Sequence, residues 1–289
     1  MSILHSIFKK KVSRSVGGDI ILILFLSLMG ILMILPFVYT ISTSLKPANE
    51  LWLFPPRFFV IKPTLKNFSD LFSLMADSWI PFSRYIFNTV FITAAGTALH
   101  IILASMCAYP LSRYKFPGSK FIFSMIQTTL MFSAAVTAIP SFIIMSKLHL
   151  IDTYAAVILP AVGAPLGLFI MKQFMDQTVN LSVLESADMD GAGEVVKFFK
   201  LVMPMSKPAW ITLMIFTVQS LWGLGSSAYI FSEQLKTLSY ALSQVQAAGI
   251  ARAGVGGAIT VLMMLVPLIV FIVSQSNVIE TMSTSGMKD

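Results

Sequence analysis

Charge is what this sequence has least of. Asp, Glu, Lys and Arg make up only 11% of its 289 residues, against about 25% in an ordinary soluble domain. So few ionised groups cannot cover the surface of a water-soluble protein this size. Disorder is excluded by the same figures, because a disordered chain is rich in charge and poor in hydrophobic residues, whereas here 56% are hydrophobic. Cysteine is almost missing, and the single Cys107 excludes a disulfide scaffold. Histidine occurs three times, at His5, His100 and His149. That spacing suggests no metal site. No G-x4-G-K-[ST] phosphate loop is present. The nearest string, Gly191 to Lys197, has the wrong spacing and no Ser or Thr after the lysine. No catalytic constellation, internal repeat or low-complexity tract is evident, and the alternating ten-residue pattern of membrane barrel strands is absent.

What the sequence has is long runs free of Asp, Glu, Lys and Arg. A hydrocarbon core about 30 Å thick needs roughly 20 apolar residues of helix. Six runs fit: 20–45, 85–112, 121–146, 153–171, 208–232 and 253–279. All 20 Lys and Arg fall outside them, as expected when a charge at the bilayer centre costs about 2.5–3.5 kcal/mol or more. The fourth run is the shortest and contains Pro160 and Pro165, which membrane helices tolerate when neighbours satisfy the freed backbone groups. The expected fold is an all-α polytopic membrane protein with six transmembrane helices. Its parts are a tail 1–19, a first helix 20–45, an outer loop 46–84, a five-helix core 85–279 and a tail 280–289. The first run is too long for the core of a cleavable signal peptide, and no small-residue cleavage site ends it, so it is read as a membrane helix.

Six spans put both termini on one side. Twelve of the 20 basic residues then share the side of the termini and eight lie opposite. The imbalance is sharpest in the short segments, the Lys9-Lys10-Lys11 run and the turn 113–120 with Arg113, Lys115 and Lys120. The positive-inside rule therefore predicts cytoplasmic termini. A net charge of +7 placed beside membrane ends suits anionic lipid and calls for no nucleic acid.

The inner segment 172–207 is the most informative. Ser182 followed by Glu185 has capping-box spacing, and Gly191 stands where a left-handed residue would end a short helix. That helix carries Glu185, Asp188 and Asp190. A second amphipathic stretch, 192–203, places Val195, Val196, Phe198, Phe199, Val202 and Met203 on its apolar side. Pro204 is expected to stop it and Pro208 to open the next span. A short acidic helix lying along the membrane either docks into a cleft on a cytoplasmic partner or packs on its own bundle.

Glu185-Ser186-Ala187, then Gly191, then Leu201-Val202-Met203-Pro204 resembles the E-A-A-x3-G-x9-I-x-L-P signature of bacterial ABC importer permeases. Asp190-Gly191-Ala192, Phe198 and the P-x-x-K-P run at 204–208 resemble the carbohydrate branch. The same branch is similar at 108–118 (A-Y-P-L-S-R-Y-K-F-P-G), 151–154 (I-D-T-Y), 63–68 (P-T-L-K-N-F) and, in smaller maltose-type permeases, at Gly286-Met287-Lys288. The resemblance implies the type I ABC importer permease fold in a bacterial cell membrane. The implied partners are a second permease, two ATPase subunits and an external solute-binding protein. ATP and magnesium would sit on the ATPase, with no cofactor in this chain. It further implies that Glu185, Ser186, Ala187, Asp190 and Gly191 couple to the ATPase.

By their chemistry, Gln219, Trp222 and Tyr229 are candidates to line a solute path, since sugars are read by hydrogen bonds and aromatic stacking. Polar residues in membrane helices also simply bridge neighbouring helices. In similar permeases the loop 230–253 reaches toward the binding protein, which makes Tyr240, Gln244 and Gln246 candidates there. The spans hold no Lys or Arg to favour a phosphate, which suits a neutral or weakly charged saccharide. The alternatives are a permease for glycerol phosphate or a polyamine, or a stand-alone secondary transporter. The last would want ionisable groups inside the spans, and only His100 is found.

Overall fold

A computed structural model describes residues 16–76, 80–225, 228–247 and 253–285. All regular structure among the described residues is helical. The helices are α1 (Val16–Leu45), α2 (Ala48–Leu51), α3 (Lys66–Ala76), α4 (Phe82–Arg113), α5 (Ser119–Thr129), α6 (Ala134–Lys147), α7 (Tyr154–Val162), α8 (Pro165–Thr178), α9 (Leu181–Met189), α10 (Glu194–Lys197), α11 (Met203–Met205), α12 (Lys207–Trp222), α13 (Leu238–Ala247) and α14 (Ala253–Ser285). A π-turn, Phe198–Val202, joins α10 to α11, and a 3-10 turn, Glu233–Leu235, precedes α13. The tail motif Gly286-Met287-Lys288, the Lys9–Lys11 run and Arg252 lie outside the described residues.

The chain divides into two compact units, Met1–Phe72 with Gly249–Val261, and Ser73–Ala248 with Leu262–Asp289. In the first, α1 exposes apolar side chains along its length, from Ile20 to Ile41. Asn67 Nδ2 donates at 2.8 Å to Ser44 O, one of the last carbonyls of α1 without a partner inside the helix, and at 2.8 Å to Lys46 O just beyond it. Glu50 accepts the backbone N–H groups of Ile61 and Lys62 at 3.0 and 2.9 Å. The segment 46–65 is thereby tied into a compact loop.

In the second unit α4 is the spine, and α7, α8 and α12 pack against it. One core joins Ala104, Ala108 and Tyr109 of α4 to Met171 and Met175 of α8, Leu184 of α9, and Phe198 and Val202 of the π-turn. Another joins Ile92 to Val157, Ile158, Leu221 and Ile230.

The expected count of six spans is not matched exactly. Among the described residues four helical stretches are long and apolar enough to cross a membrane: α1, α4, α7 with α8, and α14. A fifth is reached if 194–205 and α12, bent by 77°, are taken as one. The expected third span, 121–146, breaks into α5 and α6 at 130–133. At that break Thr128 and Thr129 turn their hydroxyls back onto the carbonyls of Ser124 and Ile126, a competition that bends or ends helices. The fourth breaks at Gly163-Ala164, because Pro165 forces Ala164 into an extended conformation (φ −63°, ψ 123°). The fifth ends at Trp222 rather than Ser232, with Gly223 as its cap. The first, second and sixth agree with expectation to within a few residues.

Candidate functional site

The loop 172–207 is built as two short helices around a glycine turn. Helix α9 begins at Leu181 with Asn180 as N-cap and no side-chain capping bond. The capping box expected at Ser182 is therefore not formed. Ser182 lies one residue inside the helix, and its carbonyl accepts the Ser186 hydroxyl at 2.8 Å. The C-terminus agrees with expectation. Gly191 has φ +74°, Ala192 N–H donates to Ala187 O at 2.9 Å and Gly191 N–H to Asp188 O at 3.0 Å. This pair of bonds is the Schellman arrangement, which needs a left-handed residue where Gly191 stands.

The side chains of α9 divide into two sets. Leu184 and Ala187 are buried, and Leu184 seats the helix in the core. Glu185, Ser186, Asp190 and Gly191 are exposed. Met189, which the sequence reading passed over, is 90% exposed. On the stretch that follows, Phe198 and Val202 are buried, whereas Val195, Val196 and Phe199 stay exposed. The expected single apolar side is thus split. Of the six, Phe198 and Val202 enter the core, Met203 packs against it and the other three are left on the surface.

Asp188 is turned away from the exposed acidic set toward Lys197, whose side chain is only 3% exposed. Lys197 Nζ donates to Asp188 Oδ1 at 2.6 Å and pairs with Glu194 Oε1. Glu194 Oε2 accepts from Tyr109 Oη at 3.0 Å and from Tyr114 Oη at 2.5 Å. Bonds from Lys197, then Tyr114, hold the Glu194 carboxyl below its usual range. Asp188 and Glu194 hold the Lys197 ammonium above its own. Burial, reinforced by Glu194, pushes the Tyr114 phenol up. The sequence reading missed this cluster. The available signal was a lysine set between Val196 and Phe198, three residues after Glu194 and nine after Asp188.

At the other end of α4 a second set of bonds holds the segment 229–238. Asn88, fully buried, donates from Nδ2 to Gln234 O and Lys236 O at 2.8 Å each and accepts from Tyr154 Oη at 2.7 Å. Tyr85 Oη donates to Glu233 at 2.9 Å, and Thr89 Oγ1 accepts Leu238 N–H at 2.7 Å. Asp152 accepts the N–H groups of Phe231 and Ser232 at 3.0 and 2.8 Å and also the Ser232 hydroxyl. The I-D-T-Y string thus has a structural use as an anchor for this segment.

The solute candidates separate. Trp222 is buried and donates Nε1–H to Met263 O at 3.0 Å. Tyr229 stacks on Phe142 with ring centroids 6.3 Å apart. Gln219 is exposed, as are Ser220 and Phe216 beside it on α12. The stretch expected as an open loop at 230–253 contains a helix, α13, with Leu238, Ala241, Leu242 and Val245 buried. Gln244 and Gln246 lie on its exposed side, and Tyr240 Oη accepts from Lys236 Nζ at 2.8 Å. His100 is taken up by the break in the fourth span. With no N–H on Pro165, the Ala161 carbonyl loses its α-helical donor; Ala164 N–H reaches it at 3.3 Å and His100 Nδ1 lies 2.5 Å from it. No group of three or more potential metal ligands occurs among the described residues.

Residues 100–283 match the family described as binding-protein-dependent transport system inner membrane component. The chain belongs to this family. It is 32% identical to the polygalacturonan/rhamnogalacturonan transport system permease protein YtcP of Bacillus subtilis over 223 residues, covering 74% of this chain and 72% of that one. It is 30% identical to the arabinooligosaccharides transport system permease protein AraQ of the same organism, covering 78% and 80%. A solved chain of a bacterial ABC transporter involved in the import of the acidic polysaccharide alginate superposes with a TM-score of 0.77 at 22% identity, covering 92% of this chain and 99% of that one. The fold is therefore that of a type I ABC importer permease, and the protein is a membrane-embedded permease component of a transport system.

Proposed function

We propose that this permease is one transmembrane subunit of an ATP-driven importer that moves an oligosaccharide delivered by an external binding protein. Its termini face the cytoplasm, so that α9 projects on the side of the ATPase. Glu185, Ser186, Asp190 and Gly191 form the contact with that subunit, Met189 adds an apolar tip, and buried Ala187 lets the helix lie close against its own bundle. ATP and magnesium are held by the partner. The observation that carries this reading is a short acidic helix, ended by a glycine turn and seated on the bundle by Leu184, with its remaining charges exposed. The saccharide assignment is supported by relatives whose names specify polygalacturonan, rhamnogalacturonan and arabinooligosaccharides. Gln219 is the favoured solute contact, because an exposed amide on a membrane helix wants a polar neighbour. Gln244 and Gln246 face the binding protein.

The test is uptake of labelled oligosaccharides by proteoliposomes holding the whole complex. Wild type takes them up only with ATP and the binding protein. Glu185→Ala keeps the permease in the membrane but cuts uptake by about tenfold, in line with about 1–3 kcal/mol for a buried hydrogen-bonded charge at an interface. Uptake without ATP, or unchanged uptake by Glu185→Ala, contradicts the proposal.

A further inference from the structure

We infer that Lys197 is a positioning residue that bolts α9 to α4, and that α4 carries this link as a strut to the segment 233–238 at its far end. This deepens the proposed coupling role of α9 and rests on it. Among the described residues, nothing packs against the glycines of the turn between α9 and α10. A Cβ placed on Gly191 or on Gly193 would meet nothing within 4 Å, so the turn lies in open space. What spans it is the bond from Lys197 Nζ to Asp188 Oδ1, 2.6 Å long. Leu184 seats α9 by apolar contact, which has little directional preference, whereas an ion pair between fixed partners fixes the rotation of the helix about its axis. Lys197 is fixed in turn by Glu194, and Glu194 by Tyr109 on α4 and Tyr114 just beyond it. The lysine is 3% exposed, so little water reaches it in competition with its carboxylates.

From Tyr109 back to Tyr85 is 24 residues of unbroken helix, about 36 Å at 1.5 Å per residue. At that end Asn88 holds two carbonyls of the segment 233–238 and the Tyr154 hydroxyl, Tyr85 holds Glu233, and Thr89 holds Leu238. Both ends of one rigid element are therefore closed by directional bonds to short segments. A displacement of α9 must move α4, and a displacement of α4 must move 233–238. Energetic coupling over such distances travels through contiguous bonded networks and rigid elements of this kind.

The experiment uses the complete importer in proteoliposomes and reads ATP hydrolysis with and without the binding protein, alongside uptake. Asp188→Asn weakens the bolt by removing one of its two carboxylates, while Lys197 keeps Glu194 as a partner, so no buried charge is orphaned. It is expected to copurify with the ATPase and keep basal hydrolysis, while binding-protein stimulation and uptake fall by about fivefold or more, the lower range of a coupling between sites. Asn88→Ala is expected to give the same uncoupling from the other end. Lys197→Met is expected to uncouple and Lys197→Arg to restore most of the stimulation, a rescue that a mere loss of folding would not show. Wild-type stimulation and uptake in Asp188→Asn, Lys197→Met and Asn88→Ala alike overturn the inference while leaving the importer reading intact. A wild-type permease that brings down no ATPase overturns that reading, and the inference with it.

Discussion

Gly167 of α8 faces His100 of α4 so closely that a Cβ there would lie 1.9 Å from His100 Nε2 and 3.0 Å from Leu213 Cδ1. The imidazole cannot swing aside, because its other nitrogen lies against the Ala161 carbonyl at 2.5 Å. Gly167→Ala is therefore expected to destabilise by about 1–3 kcal/mol through overpacking. Gly30 on α1 has nothing within 4 Å of the same position, so Gly30→Ala is expected to be neutral or to stabilise by up to about 1 kcal/mol through helix propensity. Thermal unfolding of the two variants in detergent checks the contrast, and an equal melting temperature for both would contradict the packing argument. Gly191 differs from both. Its surroundings are open, and what Gly191→Ala strains is the backbone at φ +74°, at about 1–2 kcal/mol. That residue was legible from sequence, because helix-ending glycines have a local chemical reason. Lys197 was not, because its burial depends on Tyr109 and Tyr114, more than eighty residues earlier in the chain.

Among the elements, local signals fared unevenly. Runs 20–45 and 85–112 were readable to within four residues of α1 and α4, since charge exclusion marks both ends of a straight span. The break at 130–133 was not, since it arises from threonine hydroxyls competing with their own helix. The cap of α9 was misplaced by two residues, because Asn180 and Ser182 are both plausible capping residues and the structure uses the first. The turn 149–153 gives a testable element. The Asp152 carboxyl is held below its usual range by the Ser232 hydroxyl first and the Ser232 and Phe231 N–H groups after it, against a smaller opposing effect of burial. A carboxylate depressed in the folded state contributes stability above its unfolded value, near 3.8, and loses it as the pH falls through the folded value. Asp152→Asn is therefore expected to melt below wild type at pH 7, with the gap closing as the pH is lowered past about 4. A gap independent of pH would show that the tie of Asp152 to the segment 231–232 is not ionic. For α4, Asn88→Leu is expected to be costlier than Asn88→Ala, since it adds bulk while stranding the same carbonyls of Gln234 and Lys236, each unsatisfied group costing about 1–3 kcal/mol. Melting of the purified variants orders them.

At the scale of the whole molecule, composition alone set the class. With 11% charged residues the chain could be little other than a membrane protein, and the order of its motifs pointed to the permease family that residues 100–283 match. The number of spans was less legible. The run 121–146 keeps the composition of a span but is divided between α5 and α6, so no single helix in it is long enough to be counted. Apolar side chains left exposed on α1, α5 and α6 describe a chain whose surface is completed by lipid. The most direct test is purification of the solubilised protein from its native membrane, followed by mass spectrometry of what accompanies it. The account predicts a second permease, an ATPase with a phosphate-binding loop and a saccharide-binding protein. Recovery of the chain alone, or only with further copies of itself, would contradict it.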